Sequence, residues 1–559
     1  MSRVKKGIFS KRTNNRGKNI FIILMIIYGF LILRISDITL FKGEEYASIV
    51  ESQSTDKINL NSGRGIIYDK NNIPLTDTVK QKILLVPRKI LSGDYENIAL
   101  IKEATNLSDE EIFKEVQNQI SSNIVQIEIN ELNEAMKEEL LEKEIIVETK
   151  TLRYSDDNLL THTIGYLKKS DGTPQSGIEK SMNDILDDNN AEYISVFRAS
   201  TNSKGLDILD GSIETVRDNE EDEHLRLTID SNIQKIIEDV VDNEENPTAV
   251  IVSDVESGEI LAMSSRPNYN QNNIVDYINS DNRELENRAV SVTYPPGSVF
   301  KIVVLYSALY NGIIDEDTYI YNCTGTCKVG NSDEVLKCHK EDGHGIQTLE
   351  EAFANSCNTA FLDIAIKTGK ENILESISNL NLDERIDIGL DEEKSSNIPN
   401  NISIRNLAIG QADIEFTPLQ INQLTQLIAN NGTYKPLSLY DSVIDNNKNI
   451  IKTFRSTKEE DIISPYIITK IKELMKSVSK IGTAKELNDL DGGCGVKTGT
   501  AQSSLDGVSI SHGWITGFYP SENAEYAITV LVEGTKKESK SAIPIFESIC
   551  NQIYQYKNK

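Results

Sequence analysis

A chain of 559 residues is too long for one hydrophobic core and implies two or three domains after any anchor. Its 58 basic against 86 acidic side chains leave a net charge of −28, which speaks against nucleic acid as a partner. Hydrophobic content of 38% and aromatic content of 6% are low, so the apolar residues that build a core must be concentrated in particular segments.

The first such segment lies at the amino terminus. Arg3, Lys5, Lys6, Lys11, Arg12, Arg16 and Lys18 precede an apolar run from Ile20 to Leu33, which Arg34 closes. The run is shorter than the roughly 20 residues that span a bilayer, but snorkelling of Lys18 and Arg34 extends it, as do Ile35, Ile38, Leu40 and Phe41. A cleavable signal peptide is the competing reading; no small-residue cleavage site follows the run, which favours an uncleaved anchor. The expectation is a basic cytoplasmic tail over 1–18, a transmembrane anchor over 19–41 and the rest of the chain outside, in a single-pass protein of the cell membrane.

Residues 42–223 read as an elongated non-catalytic region. Helical spacing with many acids marks Ser108 to Gln119 and Asn130 to Lys143, and most of those charges form a solvated face. From Leu225 onward the pattern changes. A helix is predicted over Ile233 to Asp242, then a hairpin of Ala249 to Val255 with Glu259 to Ser264 around the turn Val255-Glu256-Ser257-Gly258-Glu259. A long helical middle follows, then strands over Cys494 to Gln502, His512 to Phe518 and Ala527 to Val532, and a terminal helix from Ile543 to Tyr554. The fold class is multidomain α+β: residues 224–559 suit an antiparallel sheet flanked by helices, with an α-helical lobe inserted before the last three strands.

Three short motifs stand in order within that segment: Ser298-Val299-Phe300-Lys301, Ser356-Cys357-Asn358 and Lys497-Thr498-Gly499-Thr500. Singly, each has a bland reading as a helix cap, a turn or a strand end. Together they outline a serine acyl-transfer site of the kind used by penicillin-binding proteins and serine β-lactamases. Tyr294-Pro295-Pro296-Gly297 rejects regular helix and Val299 to Tyr310 favours it, so Ser298 belongs at a first turn with Lys301 on the same face. A lysine with its ordinary pKa of roughly 10.4 cannot accept a proton at neutral pH, so Lys301 has to be desolvated or set beside another cation, for which Lys497 is the candidate. Ser356 is placed to relay a proton and Asn358 to hold a substrate amide. Lys497 to Thr500 reads as an edge strand whose glycine lets a substrate backbone approach, and the N–H groups of Ser298 and Thr500 form a candidate oxyanion hole.

Four of the six cysteines fall between Cys323 and Cys357. The spacing Cys323-x3-Cys327-x10-Cys338-His339-x4-His344 suits a tetrahedral zinc site, and a disulfide such as Cys323 to Cys338 is the alternative outside the cell. Cys357, Cys494 and Cys550 read as packing.

The segments Tyr294 to Lys301, Lys497-Thr498-Gly499-Thr500-Ala501-Gln502 and His512-Gly513-Trp514-Ile515-Thr516-Gly517-Phe518 closely resemble the transpeptidase domain of class B penicillin-binding proteins. The resemblance extends upstream through Arg64-Gly65-Ile66-Ile67-Tyr68-Asp69 with Pro74-Leu75, Thr163-Ile164-Gly165-Tyr166, Ser176-Gly177-Ile178-Glu179 and Leu225-Arg226-Leu227-Thr228-Ile229-Asp230. It weakens over Ser92 to Lys150. Ala412 stands where the family commonly has glycine, and Val496 replaces a frequent glycine before Lys497. His344, in Gly343-His344-Gly345, resembles a family feature that needs no metal, which leaves His339 as an alternative fourth ligand.

The resemblance implies an N-terminal transmembrane helix, an elongated pedestal and a C-terminal penicillin-binding domain. It implies a monofunctional D,D-transpeptidase that cross-links peptidoglycan stem peptides, is acylated by β-lactam antibiotics and needs no cofactor for its chemistry. A membrane glycan polymerase and division or sporulation proteins are the implied partners. D,D-carboxypeptidase or β-lactamase activity, or a scaffold that recruits a glycan polymerase, are the rival readings.

Overall fold

The computed structural model describes residues 8–38, 42, 55–91, 95–119, 124–155, 159–187, 193–200, 206–208, 223–330, 332–412, 414–456, 458–505 and 508–558. Arg3, Lys5 and Lys6 of the basic tail, Leu40 and Phe41 of the anticipated anchor, and residues 43–54 and 209–222 of the intermediate region lie outside them. A helix spans Ile8–Ser36, and its stretch Gly17–Ser36, 20 residues of mean hydropathy 2.2, is long and apolar enough to cross a membrane. At 1.5 Å per residue such a stretch measures about 30 Å, the thickness of a bilayer's hydrocarbon core.

Two compact units interleave along the chain. One takes 1–61, 81–150 and 191–217; the other takes 62–80, 151–190 and 218–559. In the first, strand Val79–Pro87 is central to a three-stranded sheet, flanked by Ile124–Ile129 and Ile146–Leu152. Helices Tyr95–Thr105, Asp109–Asn118 and Glu134–Glu142 accompany it, and Leu84, Val86, Ile101, Val125, Ile127 and Leu140 form the core. The helices anticipated from Ser108 and Asn130 thus form, the second beginning later because Asn133 caps it. The first begins where Ser108 and Glu111 make a reciprocal capping box.

The second unit carries helix α1 (Ser231–Val241), strands β1 (Thr248–Asp254) and β2 (Ile260–Ser265), helices α2 (Lys301–Tyr310), α3 (Leu349–Ala354), α4 (Asn358–Thr368) and α5 (Pro418–Ala429), strands β3 (Gly495–Leu505), β4 (Val508–Tyr519) and β5 (Tyr526–Val532), and helix α6 (Ser539–Lys557). The antiparallel sheet runs β2-β1-β5-β4-β3, which leaves β3 at an edge. Every residue of β2 and β5 is buried, as a sheet covered on both faces requires: α5 packs on one face, α1 and α6 on the other.

A buried ion network ties the segments 62–80 and 151–190 of this unit to each other. Glu179, fully enclosed, receives Arg64 Nε at 2.9 Å and Arg153 Nε at 2.7 Å, and Arg153 also reaches Asp77. Strand Ile67–Tyr68 adds in parallel to His224–Leu227, a pairing with no local sequence signal. Two small hairpins also went unanticipated in the helical middle: Ile320–Cys323 with Gly345–Thr348, and Thr326–Lys328 with Val335–Lys337.

Candidate active site

The serine turn forms because the chain before it cannot continue a helix. Pro295 and Pro296 lack N–H groups, and Gly297 adopts φ +54°, where a Cβ would stand 2.4 Å from Thr500 O. Trp514 Nε1 donates to Pro295 O at 3.0 Å and Gly297 N–H donates to Gly410 O at 2.8 Å, so the turn is held from two sides. Gly297–Phe300 is a 3-10 turn that runs straight into α2. At about three residues per turn, side chains i and i+3 fall on one face, which is the relation of Ser298 to Lys301.

Lys301 and Lys497 are both 0% exposed and converge on the second motif. Lys301 Nζ donates to Ser356 O (2.6 Å), Ser356 Oγ (3.1 Å) and Asn358 Oδ1 (2.8 Å). Lys497 Nζ donates to the same Ser356 Oγ at 3.1 Å and to Thr498 O at 3.0 Å. Ser356 reaches both because it turns the chain between α3 and α4 in the left-handed region, φ +51°, a conformation that strains a non-glycine residue. Asn358, expected to hold substrate, also fixes the lysine ammonium.

Burial without a carboxylate partner pushes Lys301 down to about 7. Lys497 is pushed well down too, by burial first and by the Lys301 charge second. Of the two anticipated causes, desolvation and the Lys497 cation, it is desolvation that lowers Lys301, and the repulsion is felt at Lys497. The glycine of the third motif also has a different reason from the anticipated one. A Cβ on Gly499 would lie 2.9 Å from Pro296 O and 3.0 Å from Val299 Cγ2, so the glycine admits the serine turn.

Along β3, Thr498, Thr500 and Gln502 direct their backbone groups away from β4. Thr500 O accepts Gln411 Nε2 (3.0 Å) and Gln502 N–H donates to Gln411 Oε1 (3.1 Å). In an antiparallel strand one residue's N–H and C=O face the same side, so the Thr500 N–H also faces the open edge. The Ser298 N–H precedes the first bond of its turn, which joins Val299 N–H to Pro296 O. Thr498 Oγ1 is fixed by Thr483 Oγ1 at 2.5 Å. Gln411 was seen in the sequence only as part of the family segment Gly410-Gln411-Ala412, with no role given to it, and Thr483 was not singled out, because both act from loops distant in sequence.

The cysteine-rich segment folds beside this centre. One ligand atom each from Cys323, Cys338, His344 and Cys357 lies within 4.8 Å of all the others, while Cys327 and His339 stand outside the group. Cys357, read from the sequence as packing, takes the fourth position. Cys338 Sγ is 3.9 Å from Cys357 Sγ and 3.6 Å from His344 Nδ1. A tetrahedral zinc with Zn–S about 2.3 Å has S–S edges of about 3.8 Å, so the donors fit that ion in type and spacing. All six cysteines carry free thiols.

The family described as "Penicillin binding protein transpeptidase domain" matches residues 248–551, more than half of the chain. The protein belongs to that family. Its relatives include "Stage V sporulation protein D" of Bacillus subtilis, 26% identical over 93% of this chain and 82% of that one, and "Peptidoglycan D,D-transpeptidase MrdA" of Acinetobacter baumannii, 27% identical over 97% and 88%. Among solved structures, the penicillin-binding protein PBP2 of Helicobacter pylori superposes with a TM-score of 0.67 over 90% of this chain and 99% of that one, at 24% identity. The same protein solved with MreC gives a TM-score of 0.65. The likeness to these structures establishes the multidomain α+β fold.

Proposed function

We propose that the protein is a membrane-anchored serine D,D-transpeptidase that cross-links peptidoglycan stem peptides. The carrying observation is the pair of buried lysines sharing one serine hydroxyl, with Ser298 three residues before the first lysine in the 3-10 turn that opens its helix. In the first step Ser298 Oγ attacks the carbonyl carbon of the penultimate D-alanine, and neutral Lys301 takes the hydroxyl proton. The developing oxyanion is received by the N–H groups of Ser298 and Thr500. The amide C–N bond then breaks, and terminal D-alanine leaves as an amine after receiving a proton through Ser356. An amino group of a neighbouring stem peptide attacks the ester, loses its proton by the same route and frees Ser298. No cofactor enters these steps.

β-Lactams present a strained amide to the same serine and are expected to form a stable ester there. Full-length protein in detergent, treated with a fluorescent penicillin, should label one to one by intact mass, and Ser298→Ala should abolish the label while keeping its Tm. Label persisting at that site in the variant refutes the assignment; rapid turnover of the antibiotic favours β-lactamase or carboxypeptidase activity.

Cys323, Cys338, His344 and Cys357 would hold a structural Zn²⁺, supported by the fit of their spacing. Bound there, the ion would fix the second motif through Cys357, between Ser356 and Asn358. Elemental analysis should find one zinc per chain, lost in Cys357→Ser together with several degrees of Tm. A metal-free protein of undiminished Tm would exclude it.

The organisation carried by this reading is a cytoplasmic tail (1–18), an anchor (19–41), a pedestal (42–223) and a catalytic domain (224–559) on the outer side of the membrane. The likeness over most of the chain to a sporulation protein and to a peptidoglycan D,D-transpeptidase supports a place in a sporulation or other wall-building complex, where a glycan polymerase would be the proposed neighbour.

A further inference from the structure

The two oxyanion donors belong to different elements: Ser298 to the serine turn, Thr500 to the edge strand β3. The two elements pack closely at Gly297 and Gly499, a contact that sets how near they can come but makes no bond to hold them there. One loop touches both. Gly410 O accepts the N–H of Gly297, the residue before Ser298, at 2.8 Å. The next residue, Gln411, clasps β3 with both ends of its carboxamide, Nε2 to Thr500 O at 3.0 Å and Oε1 from Gln502 N–H at 3.1 Å. The loop has no slack to share. Gly410 stands at φ +64°, where a Cβ would meet Gly297 O at 2.2 Å, and Ala412 is held at φ +65° despite its methyl group. A non-glycine residue in that region is strained and persists where its neighbours are anchored.

We infer that Gln411 is a positioning residue for the transpeptidase reaction, setting the separation of the Ser298 and Thr500 N–H groups by bridging the serine turn to the edge strand. Its carboxamide pairs with β3 as a neighbouring strand's peptide would. It therefore also ends the stretch of edge open to an acyl donor: Gln502 N–H is taken, and Thr500 is the last edge position at which the donor can pair. Thr500 O keeps a second lone pair for the N–H of the donor residue whose carbonyl enters the oxyanion hole. A displacement of about 1 Å in such a site costs on the order of 10²-fold in rate.

The inference rests on the transpeptidase reading, and the test separates the two. Full-length protein in detergent is reacted with a fluorescent penicillin by stopped flow, resolving the prior binding constant from the acylation rate constant. Gln411→Leu, which fills the space without either bond, should lower the acylation rate constant at least about tenfold with the binding constant within about twofold. Gln411→Glu keeps the contact to Gln502 N–H through a carboxylate but cannot donate to Thr500 O; it should also acylate slowly, and it carries the test if Gln411→Leu fails to fold. An unchanged acylation rate constant in a folded variant overturns the positioning role, as does a weaker binding constant with unchanged acylation. A wild-type protein that does not label, or labels without Ser298, overturns the transpeptidase reading instead.

Discussion

Lys301 is the residue on which pH dependence turns. Its buried amine is lowered to about 7, and only the neutral form can accept the Ser298 proton. The neutral fraction grows as pH rises, so the acylation rate should climb through neutrality and level off in mild base, with its half-point near 7. A rate flat from pH 5.5 to 9 would remove Lys301 from the role of base. The lysine's partners were legible in the sequence because each lies inside a motif. Cys357 was not, since a cysteine that packs and one that binds metal look alike until a hairpin brings Cys323 and Cys338 to it.

At the scale of elements, the site is a contact between a turn and a strand. Gly297→Ala would place a methyl group 2.4 Å from Thr500 O, so the serine turn and β3 must separate. Acylation should fall by about 10²-fold or more, while far-UV circular dichroism stays native. Acylation at the wild-type rate would show that the turn tolerates the shift. The strands of the central sheet and the first hairpin were readable within a few residues because each is an apolar run closed by a turn. The small hairpins around the cysteines were not, for their strands are only three or four residues long and largely exposed, which leaves no alternation to read. The segment Gly410-Gln411-Ala412 could be recognised, but the role of Gln411 could not: it bonds to backbone, and a backbone partner writes nothing into the sequence.

At the scale of the whole molecule, the larger unit gathers three separate stretches of chain, and Glu179 knots the first two of them together. Replacing it with alanine leaves Arg64 and Arg153 buried without their shared carboxylate, a loss of about 3–5 kcal/mol for a broken buried pair. Glu179→Ala should therefore melt at a clearly lower temperature yet still label at Ser298 in the cold; an unchanged melting curve would show the network to be dispensable. The recruitment of 62–80 and 151–190 could not be read from composition, because it depends on pairings more than 100 residues apart in sequence. The oxyanion donors carry the last consequence. In the proposed reading both are main-chain groups, present with any side chain but proline at positions 298 and 500, so few substitutions can delete them and an inhibitor that engages them meets the part of the site that heredity edits least. Escape has to come indirectly, by moving the backbone through residues such as Gln411, Ala412 and Gly297, and each such step disturbs the natural substrate's reaction along with the drug's.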